Sequence, residues 1–161
     1  MLKLSEQDGR DFSDAVNSAS RRVEVRQAVS NLYSALQDAI DLRGPVCRTS
    51  GRCCRFEEFN HRLFVTTLEM AAFLGNLGET GISNPGGCIF QKGGLCSVHT
   101  IRPMGCRVFF CDSTATQWQQ DQYARFHQEL KRLHSELEVP YFYVEWRQGL
   151  SLAGVQAEER L

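Results

Sequence analysis

No apolar run in the chain approaches the roughly 18 residues that a membrane span requires. The first 15 residues alternate charged and small polar groups and do not form the basic, apolar and small-residue zones of a secretory leader. A membrane protein and a secreted disulfide scaffold are therefore not expected, and a cytoplasmic, reducing setting is. An excess of one charge is also missing: 18 Lys+Arg stand against 19 Asp+Glu, for a net charge of -1. Without a basic field to gather phosphates, nucleic acid is not an expected partner. The glycine pairs Gly86-Gly87 and Gly93-Gly94 are isolated and make no nucleotide-binding fingerprint. There is no internal repeat, no low-complexity tract and no Cys-x2-Cys knuckle of the zinc-ribbon kind.

What is present suits one compact domain over 1–161: 161 residues, 42% apolar and 23% charged. Three segments differ in character. In 1–45, apolar residues at Phe12, Val16, Ala19, Val23, Leu32, Leu36, Ala39 and Ile40 predict one long helix from Phe12 to Leu42, stopped by Gly44-Pro45. The polar stretch before it, to about Asp11, is expected to fray. The 46–112 segment holds most of the 13 glycines and reads as turns and brief strands. One short helix stands out there: Thr66 and Glu69 fit a capping box, Leu68 to Leu77 is helix-forming, and Gly78 closes it. Extended candidates are His61 to Thr66, Gly86 to Phe90, Leu95 to His99 and Arg107 to Cys111.

In 113–161 a helix between Thr116 and Glu138 shows Tyr123, Phe126, Leu130, Leu133 and Leu137 on one face, ending before Pro140. The run Tyr141 to Trp146 is aromatic and reads as an extended tail; 147–161 is weakly patterned. Trp118 and Trp146 suit packing anchors, while His127 and His134 read as surface or boundary residues and Glu57 and Glu58 as solvated charges. The expected fold class is α+β, helix-rich, with terminal helices around a loop-rich, metal-stabilised cysteine cluster with short strands.

The position of the cysteines carries the functional reading. All seven (Cys47, Cys53, Cys54, Cys88, Cys96, Cys106, Cys111) fall between residues 47 and 111. Their number is odd, which argues against a framework of bridges. Clustered thiolates repel unless a cation neutralises them, and a bound cation lowers their pKa. Over 47–111 seven basic and four acidic side chains give +3; seven thiolates would bring -4, which two divalent ions would restore to zero. The arginines then serve as donors to metal-bound sulfur. Adjacent Cys53 and Cys54 point to opposite sides of an extended chain, so two sites, or one site and a spare thiol, suit them better than one tetrahedral ion. Cys106 and Cys111 would lie about 140° apart around an ideal helix, so part of that stretch is expected to be turn or strand.

The runs Cys-Arg-Thr-Ser-Gly-Arg-Cys-Cys-Arg (47–55) and Cys-Ser-Val-His-Thr-Ile-Arg-Pro-Met-Gly-Cys-Arg-Val-Phe-Phe-Cys (96–111) resemble the CxxCxxCC, or YkgJ-like, cysteine-cluster family. The resemblance covers about residues 46–112 and implies a zinc- or iron-chelating domain. In it the seven cysteines are ligands, and Arg102-Pro103 and Arg107 belong to the motif. Ser50 stands where that pattern has its second cysteine, and serine is a poor ligand for soft metals. Three consequences stay open: one ion loses a ligand, His99 substitutes, or a coordination position is left for water or substrate.

The expected activity is chelation of zinc or an iron-sulfur cluster at one or two sites, with the metal ion as partner and any protein partner undefined. The alternative is a metal- or iron-sulfur-dependent enzyme of redox or group transfer, since the same domain resembles part of the flagellin lysine methylases. A Cys/His hydrolase needs one thiol and one base from among His61, His99, His127 and His134, so six cysteines would go unexplained.

Overall fold

The structure, a computed structural model, describes residues 4–44, 63–77, 91–92, 95–96, 101–108 and 113–155. In chain order these form α1 (Glu6–Ser20), α2 (Val23–Arg43), β1 (Phe64–Thr66), α3 (Thr67–Asn76), β2 (Gln91–Lys92), β3 (Leu95–Cys96) and α4 (Met104–Val108). A 3-10 turn (Ser113–Ala115), α5 (Thr116–Glu136), β4 (Tyr143–Glu145) and α6 (Trp146–Leu152) follow. The arrangement is helix-rich α+β with two antiparallel pairs, β1 with β4 and β2 with β3.

The long N-terminal helix expected from the sequence is two helices. The first begins at Glu6, so the opening segment does not fray as far as Asp11: Ser5 Oγ accepts the Asp8 N–H at 3.1 Å, and Glu6 and Asp8 lie in the positive first turn. The break at Arg21-Arg22 follows from the phase of the apolar stripe. Phe12, Val16 and Ala19 keep helical spacing, as do Val25, Val29, Leu32, Tyr33, Leu36 and Ile40, but the step of six from Ala19 to Val25 does not. Keeping both stripes on the core requires a bend, and Arg22 turns extended there. Its guanidinium donates to Leu137 O at 2.9 Å. Val23, placed on the stripe by the sequence, lies just past the bend and is 66% exposed. Gly44 ends α2 in the left-handed region (φ 69°), its N–H bonded to Ile40 O.

Helix α3 is the middle of the described structure. Thr67 to Phe73 are all buried, the expected state of a helix apolar on every side. It divides its side chains between two cores. Leu68, Ala71 and Ala72 pack with Val25, Leu32, Leu36, Met104, Val108, Phe126 and Leu130. Met70 and Phe73 pack with Phe12, Val16, Val65, Val144, Trp146 and Leu150. The capping box is formed as the sequence indicates, though the helix closes at Leu77 in extended conformation, with Gly78 outside the described residues.

β1 runs directly into α3 and pairs with β4 in the register Phe64↔Glu145, Val65↔Val144, Thr66↔Tyr143. Val65 and Val144 therefore point to the core together. The aromatic tail is thus a three-residue strand. Trp146 leaves it to start α6, capped by Glu145, whose carboxylate accepts the Gln148 N–H at 2.9 Å. As expected, Trp146 is a core anchor, edge-on to Phe73 at 4.9 Å.

Helix α5 ends two residues short of Glu138, which takes a left-handed φ of 56° so that Val139 N–H can return to His134 O at 3.0 Å. His134 is not a surface residue: it is 4% exposed. The candidate strand Gly86 to Phe90 lies outside the described residues, as does Leu95 to His99 beyond Cys96.

Candidate metal centre

The Arg107 to Cys111 stretch, expected to be extended, is helical through Val108. The reason is tertiary. Met104 and Val108, four apart, are both fully buried in the first core, and Gly105 lies against Leu63, where an added Cβ would sit 2.4 Å from Leu63 Cδ1. Pro103, with φ already fixed, suits the residue leading into the helix. Cys106 N–H returns to Pro103 O at 3.0 Å.

Cys106 sits on this helix, half-buried. Two arginines wrap the turn that presents it: Arg102 Nε donates to Cys106 O at 3.2 Å and Arg107 Nε donates to Arg102 O at 2.7 Å. The Arg107 guanidinium lies over the Tyr33 ring, 4.2 Å from its centroid, in cation–π geometry. Burial lowers the Arg107 pKa and neighbouring Arg102 adds to this, while Tyr33, Cys106 and Glu69 act in the opposite sense. Cys106 is therefore within electrostatic range of the partly desolvated Arg107 guanidinium.

Beneath them lies Glu69, 1% exposed. Its Oε2 accepts the Thr66 N–H at 2.9 Å, completing the capping box of α3. Its Oε1 accepts the Met104 N–H at 2.9 Å and the Tyr33 hydroxyl at 3.4 Å. Burial raises the Glu69 pKa, and the hydrogen bonds from Thr66, Met104 and Tyr33 pull it back. Burial, with Glu69 adding to it, pushes the Tyr33 hydroxyl well above its ordinary range. Sequence reasoning used Glu69 only as a cap and left Tyr33 out of the helical stripe. A signal for both was present. Leu68, Met70 and Ala71 surround Glu69 with apolar neighbours, so its second oxygen needed a buried donor, and Tyr33 stands four residues from Val29 and three from Leu36.

The other sequence-derived ligands are placed as follows. Cys96 ends β3, its backbone opposite Gln91. Cys47, Cys53, Cys54, Cys88, Cys111 and His99 lie outside the described residues, as do Ser50, Glu57 and Glu58. Among the described residues, no group of three or more His, Cys, Asp or Glu side chains is placed to hold a metal ion. What these residues contribute is the setting of one soft donor, Cys106, whose chemistry suits zinc or iron.

A second polar cluster joins α5 to the 139–143 segment. His127 Nε2 and the Tyr141 hydroxyl are 2.8 Å apart, and the Tyr123 and Tyr143 hydroxyls share a short hydrogen bond. His134 Nδ1 donates to Val139 O at 3.0 Å, with its ring edge-on to Tyr141 at 5.1 Å. Its Nε2 is buried without a hydrogen-bond partner among the described residues. No helix among the described residues is long and apolar enough to cross a membrane. No family model, curated protein or solved structure matches the chain.

Proposed function

We propose that this protein is a cytoplasmic metal-chelating module, a member of the CxxCxxCC cysteine-cluster family, that binds zinc or an iron-sulfur cluster through the thiolates of residues 47–111. The observation that carries the reading is the confinement of all seven cysteines to that segment, where cation-free thiolates would repel. The setting of Cys106 supports it: a thiol on a short helix fastened to the core, with the Arg107 cation in electrostatic range and Arg102 closing the turn. Bound metal would gather the cysteine segment, and the arginines would balance its sulfur charge.

Elemental analysis of anaerobically purified protein tests this. The expected result is about one or two equivalents of zinc or iron per chain, with metal-poor material from Cys53→Ala and Cys106→Ala. Less than about a tenth of an equivalent in the unaltered protein would overturn the proposal. Brown protein identifies an iron cluster, and colourless protein with bound zinc identifies zinc as the metal and favours a structural site.

A further inference from the structure

We infer that Glu69 is a positioning residue for Cys106, acting through helix α4; the inference rests on the metal-chelation reading. A metal ligand has to be held within about half an ångström of its working position. Helix α4, with five residues, is far too short to hold itself. Its first N–H groups lack acceptors within the helix, and Met104 N–H finds one in Glu69 Oε1, a side chain of another helix. The same oxygen accepts the Tyr33 hydroxyl, and the Tyr33 ring is the platform on which Arg107 lies. One buried carboxylate thus fixes both the backbone that starts α4 and the aromatic face under the guanidinium next to Cys106.

A capping box alone does not require this arrangement. It uses one carboxylate oxygen, here Oε2 on Thr66 N–H, and works at a solvated surface. The second oxygen is devoted to α4, 35 residues away in sequence. Glu69→Gln keeps one acceptor oxygen and puts an NH2 group where the other was, so either the α3 cap or the α4 anchor faces donor against donor. Thr66→Ala removes the hydroxyl that accepts the Glu69 N–H but leaves both carboxylate oxygens in place. It weakens α3 without touching the anchor, which makes it the control.

The experiment uses the full chain, prepared anaerobically and loaded with Zn(II). Hydrogen exchange of the 101–108 peptide and zinc release to a chelator are followed for the unaltered protein, Glu69→Gln and Thr66→Ala. Relative to Thr66→Ala, Glu69→Gln is expected to speed exchange in 101–108 about tenfold and zinc release about tenfold, the effect of one buried hydrogen bond. In a Cys106→Ser background the Glu69→Gln acceleration of zinc release should vanish, since there is no sulfur at that position left to misplace. Equal exchange in 101–108 for the two variants would overturn the inference, as would an undiminished effect on zinc release without Cys106. If the unaltered protein carries no iron as purified and takes up no zinc, the chelation reading falls, and the exchange comparison alone decides whether Glu69 anchors α4.

Discussion

Protonation of His134 should cost stability in a narrow acid window, and the structure gives the size of the effect. The imidazole is 4% exposed, and its Nδ1 faces the Val139 carbonyl, so Nδ1 carries the hydrogen and Nε2 is a bare lone pair. A proton added at Nε2 would be buried with no acceptor among the described residues, at a cost of about 1–3 kcal/mol. Burial accordingly lowers the pKa from its ordinary 6.5, with nearby His127 acting the same way and the Val139 bond opposing. The folded state binds this proton less readily than the unfolded chain. Its neutral form therefore contributes fully above about pH 6.5, and that contribution is lost as pH falls toward the depressed folded value. At 1.36 kcal/mol per pH unit, the loss between pH 6.5 and pH 5 reaches at most about 2 kcal/mol.

Glu69 acts in the opposite direction: its raised pKa favours the folded state at low pH, and the benefit is lost as pH rises from the ordinary carboxylate range through the raised folded value. The His134→Asn comparison cancels that contribution. Asparagine can still donate to Val139 O and does not titrate. Urea denaturation at pH 8 should show the variant weaker by about 1–2 kcal/mol from lost ring contacts. By pH 5 the gap should narrow by a further ~1–2 kcal/mol, because only the unaltered protein loses the imidazole contribution. A gap that stays constant from pH 8 to pH 5 would refute the assignment of Nε2 as a buried bare nitrogen.

Two further outcomes follow from backbone and packing geometry. Glu138 is exposed and left-handed at φ 56°, so Glu138→Gly should raise stability by about 0.5–1 kcal/mol in the same urea assay; a loss would show that its side chain holds the turn. A Cβ at Gly149 would lie 2.9 Å from both Met70 Cε and Val144 Cγ2, so Gly149→Ala should destabilise by about 1–3 kcal/mol, and an unchanged midpoint would mean that α6 sits away from α3 and β4.

The elements legible in the sequence are those whose signals are local and sustained. Helix α5 announces itself over five turns, α3 by its capping box, and the end of α2 by Gly44. The elements that escaped are short and made by their surroundings. Helix α4 is held by Met104, Val108 and Glu69 against a β-favouring run of Val and Phe, and α6 is held by Trp146, Gly149 and Leu150 on the second core. The bend after Ser20 was written in the six-residue step from Ala19 to Val25, which placing Val23 on the stripe obscured. Of the candidate site, the cysteine types and Arg102-Pro103 were visible; the tie from Glu69 to Met104 spans 35 residues and leaves no periodic trace.

The described frame also bears on the division of labour between apolar packing and metal in the proposed reading. The sequence suggested a loop-rich centre needing a cation to hold it between two helices. Among the described residues, α3 gives apolar side chains to both cores, among them Leu68, Met70 and Phe73, each buried to within 2%. Full burial of one such side chain contributes roughly 1.5–3 kcal/mol, so the cores supply a driving force for these helices that does not pass through sulfur. Metal binding free energy would then go into ordering the cysteine segment. Helix α4, with Met104 and Val108 in the first core and Cys106 half-buried against the second, is in the proposed reading the point at which the two sources of order meet. In that reading the anchor matters because Glu69 acts where a frame set by apolar packing hands its geometry to Cys106.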